Sequence, residues 1–160
     1  SEDPNTTKGV RMVFNHPCKE LIWTIRGTDS GTYWNNFSDN AKNVYVIGEN
    51  PVLRAKIQLN GNDRMAERNG NYYSLVQPYQ HHDNVPSLYN NGINVYSFAL
   101  KPEEHQPSGT LNMSRIDTAV LSVSSSIAGT ISVYAVNYNV LRIISGITLM
   151  FIKWYFINFL

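Results

Sequence analysis

The sequence predicts an all-β protein, an antiparallel sandwich or barrel, and three observations predict it. Short runs rich in β-branched and aromatic residues recur along the chain, each bounded by Gly, Pro, Asn or Asp. One run alternates cleanly at period two: Leu53, Ala55, Ile57 and Leu59 against Arg54, Lys56 and Gln58. No long amphipathic helical pattern and no repeat at fixed spacing competes with this reading. Ten Tyr, six Phe and three Trp in 160 residues supply enough large side chains for one core.

Taken in order, a polar segment over residues 1–9 is followed by "VRMVFN" (Val10 to Asn15) and "ELIWTIR" (Glu20 to Arg26), which read as strands around the turn "HPC". "GTDSGTYWNNFSDNAKN" has no periodicity and reads as a long polar loop. "VYVIGENP" is a further strand running into a turn. The alternating strand at 53–59 follows it and ends in Asn60-Gly61. The spacing then predicts a short helical turn in "NDRMAERNG" and an irregular aromatic connection in "NYYSLVQPYQHHDNVPSLYNNG". Four more strands are predicted at 93–100, 110–116, 119–126 and 131–144. In the first of these, Tyr96, Phe98 and Leu100 should share the buried face, with Val95, Ser97 and Ala99 opposite. Residues 10–146 thus form the domain, and 147–160 stand apart. "ITLMFIKWYFINFL" has 11 apolar residues in 14 and lacks clean alternation. As a helix it reaches about 21 Å, short of a hydrocarbon core near 30 Å.

Composition excludes some classes of function. Charged residues are 16% of the chain, the net charge is +1, and the basic residues are scattered. This disfavours a protein that works by gripping nucleic-acid phosphates, so no direct nucleic-acid partner is expected. The single cysteine, Cys18, rules out an intrachain disulfide framework and suits a reducing compartment, where it reads as a small buried hydrophobe. The opening "SEDPNTTKG" is polar and acidic, unlike a signal peptide. Asn-x-Ser/Thr triplets at Asn5, Asn36 and Asn112 arise easily in an Asn-rich chain and decide nothing.

Two clusters invite a chemical reading. His81, His82 and Asp83 are consecutive, but neighbours in an extended segment point to opposite faces, and no His-x-His pair exists to seat a metal. Glu103, Glu104 and His105 lie between Pro102 and Pro107, a segment unfit for a ladder and therefore at the surface. Acid/base catalysis needs one desolvated and one solvated carboxyl, and two adjacent exposed glutamates should titrate alike. No phosphate-cradling loop or nucleophile elbow appears. No catalytic, cofactor or metal residue is expected.

The residues themselves carry a further signal. "NHPCKELIW", "LNGNDR", "YYSLVQPYQHH", "GINVYSFALKPEEHQPSGTLNMSRID" and "VYAVNYNVLRIISG" together resemble the C-terminal half of the major capsid proteins of nucleocytoplasmic large DNA viruses. The Ser-Phe-Ala-Leu-x-Pro-Glu-x-x-Gln-Pro-Ser-Gly core with its Ser-Arg-Ile-Asp is long and specific, and the likeness runs from about Val10 to Gly146.

The resemblance implies the second sandwich of a double jelly roll, and not all of it. The polar start without Met suggests a fragment or a split-gene product. It also implies a non-enzymatic virion protein, assembled in the host cytoplasm into trimeric pseudo-hexagonal capsomers of an icosahedral shell. Its partners would be trimer mates and lattice neighbours. The apolar tail, where the family usually ends in small residues, would meet a neighbouring subunit, minor capsid proteins or the membrane lining the shell. Tyr72, Tyr73, Tyr79 and Tyr89 are the candidate subunit contacts, with packing beneath their own loop as the competing reading. A stand-alone lectin-like jelly roll gripping carbohydrate is the alternative function.

Overall fold

The computed structural model describes residues 7–28, 35–40, 48–84 and 92–139, together with the backbone of 142–144, 147–149 and 157–158. The strands are β1 (Thr7–Met12), β2 (Pro17–Gly27), β3 (Val52–Leu59), β4 (Asn62–Asp63), β5 (Arg68–Asn69), β6 (Ile93–Ser97), β7 (Leu111–Asn112), β8 (Ala119–Ser125), β9 (Gly129–Asn137), β10 (Arg142–Ile144), β11 (Ile147–Leu149) and β12 (Ile157–Asn158). A π-helical turn at Tyr72–Val76 runs straight into a short helix, α1 (Gln77–His81).

One sheet has the order β1-β8-β3-β4, with β5 also on β3. The other runs β12-β9-β2-β6, with β7 also on β2. The pairings of both are antiparallel. Val10, Met12, Ala55, Ile57, Leu121 and Val123 from the first sheet meet Leu21, Trp23, Ile25, Ile131 and Val133 from the second in one buried cluster. Two sheets sharing a core make a sandwich, and the non-sequential strand order means that the chain crosses between the sheets, as it does in a jelly roll.

Local chemistry explains the turns. Asn60 and Gly61 both have positive φ, 50° and 80°, as a tight two-residue hairpin requires. The hairpin pairs Leu59 with Asn62 and Gln58 with Asp63. This replaces the helical turn expected over 62–70: the Asn-Gly turn feeds a returning strand, and Arg68–Asn69 pairs with Ala55 and Arg54. Asn60 also ties the turn down, its Oδ1 accepting from the amides of Asp117 (2.9 Å) and Thr118 (3.1 Å).

The alternation at 53–59 holds from Ala55 onward, with Leu53 exposed and Val52 buried instead. A register shift between Val52 and Arg54 is the cause, because one extra residue swaps the faces. The strand expected at "VYVIGENP" falls mainly on residues outside those described. The connection at 71–92 is helical over Tyr72–His81 rather than irregular there.

The strand at 93–100 stops at Ser97. Tyr96 is buried and its ring meets Phe98 edge-on at 5.1 Å, as the expected face requires. Leu100 departs from it at 72% exposure, while Val95, Ser97 and Ala99 on the opposite side are buried as well. The reason is the cover provided by the helical segment: Gln77 of α1 accepts from the Ser97 amide at 3.0 Å. Of the apolar tail, the described backbone forms strand pairs within the chain, β11 with β10 and β12 with β9.

Candidate functional site

The helical segment and the loop after β6 bring the sequence's candidate residues to one flank of the sandwich. Tyr73 turns inward and is completely buried. Its ring meets Trp23 at 5.0 Å and Tyr72 at 5.2 Å, both edge-on, and its hydroxyl donates to the Ala55 carbonyl at 3.0 Å. Burial pushes its phenol well above the ordinary range. Tyr73 is therefore a core residue and is removed from the subunit contacts.

Tyr72 is half-buried beneath Arg68, whose guanidinium lies 5.5 Å from the ring centre, and its hydroxyl accepts from Gln77 at 3.0 Å. Tyr79, on α1, is 78% exposed. Tyr89 lies outside the described residues. Of the candidates among the described residues, Tyr79 is the exposed ring. Leu100 joins it on this flank, since His81 Nδ1 lies 2.9 Å from the Leu100 carbonyl and holds that loop beside α1.

The loop Phe98 to Gly109 is closed by its own side chains. Ser108 Oγ accepts from the Lys101 amide at 2.9 Å and donates to the Lys101 carbonyl at 3.1 Å. Gly109 sits at φ 140°, and a Cβ there would come 2.8 Å from the Phe98 carbonyl oxygen, so the close approach demands glycine. Pro102 is buried, while Glu104 is exposed and pairs with Lys101 at 2.9 Å. Lys19 of β2 reaches the Glu104 carbonyl at 3.3 Å.

Glu103 departs from the expectation of an ordinary solvated carboxyl. Its Oε1 is 3.1 Å from His82 Nδ1, and its Oε2 accepts from the Asp83 amide at 3.2 Å. The Asp83 amide first, and His82 after it, hold this carboxyl below its usual range. On its other side His82 Nε2 stands 2.8 Å from Glu20 Oε2, an ion-pair distance without the angle of a good hydrogen bond. Glu20 is only 5% exposed, and desolvation raises its carboxyl above the usual range, with His82 opposing. The sequence reading passed over Glu20, because its place on a strand 62 residues before His82 leaves no spacing to detect.

His81 and His82 address different partners, as opposite faces require. Among the described residues no group of three His, Cys, Asp or Glu could hold a metal ion. Cys18 is fully buried, its thiol donating to the Glu20 carbonyl at 3.1 Å, and burial pushes it up to about 12. That is a packing thiol without nucleophilic character at neutral pH.

The described residues thus form a jelly roll whose polar clusters fasten loops, with Tyr79 and Leu100 exposed near them. Residues 1–148 match the family described as "Large eukaryotic DNA virus major capsid protein", and the chain belongs to that family. It is 55% identical over 126 residues to the major capsid protein of Phaeocystis pouchetii virus, covering 74% of this chain and 23% of that one. It is 42% identical to the major capsid protein of Pyramimonas orientalis virus, covering 90% of this chain and 38% of that one. Among solved structures, a chain of the PBCV-1 virus capsid superposes with a TM-score of 0.72 at 32% identity, over 96% of this chain and 47% of that one. The chain thus spans less than half the length of these relatives. The lectin-like alternative gains no support from them.

Proposed function

We propose that the chain is the second jelly roll of a major capsid protein, a non-enzymatic building block of an icosahedral shell. The observation that carries this is the likeness, over nearly its whole length, to one half of a capsid chain. The partners are two further copies in a trimeric pseudo-hexagonal capsomer, and beyond them the lattice neighbours. Tyr79 and Leu100 are the anchors, because large exposed apolar side chains lose the most water-exposed area on contact. The tail at 147–160, with 11 apolar residues in 14, supplies a second contact, with minor capsid proteins or a membrane. The buried free thiol of Cys18 needs no oxidising compartment, which supports assembly in the host cytoplasm.

Sedimentation velocity over a range of concentrations tests this. The wild-type chain should self-associate, and Tyr79→Ser with Leu100→Ser should shift it toward monomer with unchanged circular dichroism. A concentration-independent monomer that binds an array of glycans would replace this function with the carbohydrate-binding one.

A further inference from the structure

We propose that Glu20, His82 and Glu103 form a proton-holding clasp that fastens the loop after β6 to the sandwich and releases it as the pH rises. The argument is a count of hydrogens. Both ring nitrogens of His82 approach carboxylate oxygens, Nε2 to Glu20 at 2.8 Å and Nδ1 to Glu103 at 3.1 Å. An ionised carboxylate can only accept, and a neutral imidazole has one N–H. With both carboxylates ionised and the ring neutral, one of the two contacts would bring a bare ring nitrogen close to a carboxylate oxygen with no hydrogen between them. The cluster therefore needs one proton more, on the ring or on Glu20, and carries a charge of −1 rather than −2. Which atom holds it does not alter the count, because the three groups titrate as a unit.

The surroundings leave the clasp to itself. On β2, Lys19 adds a favourable field at Glu20. On the loop, Lys101 is engaged by Glu104 at 2.9 Å. Beside His82 in the chain, Asp83 offers its amide to Glu103, and His81 is turned to the Leu100 carbonyl. Burial at Glu20 keeps water from replacing the missing hydrogen, so losing the proton there breaks the contact rather than solvating it. The segments joined are β2, the end of α1 and the loop that carries Leu100. The clasp thus sets the position of the flank proposed above for subunit contact, and the inference rests on that reading only for this consequence.

Its linkage has a definite sign. In the unfolded chain a histidine gives up its proton near pH 6.5. Above about that value the native state holds a proton that the unfolded state has released, so stability falls as pH rises. Glu20→Gln removes this dependence. A neutral amide then faces Nε2 while Nδ1–H serves Glu103, so the cluster needs no extra proton.

The test is denaturant melts of the wild-type chain and Glu20→Gln from about pH 6 to about pH 9, with amide hydrogen exchange on the same samples. The wild-type folding constant should fall by up to about tenfold per pH unit over part of this range, relative to a flatter Glu20→Gln. Protection factors of the Phe98, Leu100 and Lys101 amides should fall with it. Parallel pH profiles in the two proteins would overturn the clasp. So would wild-type protection factors at these amides that do not change with pH, a readout that stands even if the variant fails to fold. Neither result depends on whether the chain assembles, so the clasp and the capsid function can fail separately.

Discussion

Tyr73 and Tyr79 are six residues apart and have opposite fates, which makes them a sharp pair of probes. Tyr73→Ala empties a filled core site and should cost about 3–5 kcal/mol in denaturant melts. Tyr73→Phe loses the bond to the Ala55 carbonyl and a weak contact with the Met65 sulfur, and should cost about 1 kcal/mol. Tyr79→Ser should leave stability within about 0.5 kcal/mol and act on association alone. The two adjacent glutamates divide in the same manner. Glu104 is exposed and paired with an exposed lysine, so Glu104→Gln should be close to silent. Glu103 has a carboxyl held below its unfolded value. Its contribution is present above about pH 4.3 and fades as pH falls through the lower folded value. Wild type and Glu103→Gln should therefore differ in urea midpoint near neutrality and converge in acid; a gap that persists in acid would assign Glu103 another role. None of this division is visible in "PEEH", where both residues look alike. It comes from His82 and Asp83, brought up by a helix that turn-rich residues had disguised.

Elements were legible wherever one face is wet and the other dry. The strands at 7–12, 17–27, 52–59, 119–125 and 129–137 follow runs marked by β-branched and aromatic content. Alternation failed where something other than water covers a face, or where register slips. Leu53 is exposed because the shift beside it exchanges inside for outside. Ser97 reads as the wet face of its strand, yet the helical segment buries it. Its Oγ donates to the Ala99 carbonyl at 2.7 Å and accepts from the Ala99 amide at 3.2 Å. Ser97→Ala strands both groups and should cost about 1–3 kcal/mol, not the negligible amount of a surface serine. A melt unchanged by Ser97→Ala would show that water reaches this bend. The Asn60-Gly61 hairpin carries a similar load, since Asn60 holds the chain entering β8. Asn60→Ala should destabilise by about 1–2 kcal/mol, read as a lower urea midpoint at unchanged slope.

At the scale of the molecule, pattern alone reached an antiparallel sandwich or barrel and went no further, because many sequences and functions share those architectures. The motif from Ser97 to Gly109 carried the family, and the structure shows what it does physically. Gly109 permits the close approach to Phe98, Ser108 closes the loop on Lys101, and Glu103 enters the clasp with His82. The motif is loop architecture, and its polar side chains are spent on closing and fastening that loop. The chain covers under half of its relatives' length, so its assembly is best judged within a chain of their length. Put in place of the 47% of the PBCV-1 capsid chain that it matches, the chain should yield a particle of three times the single-chain mass by light scattering. A folded product that remains at the mass of one chain would contradict the account.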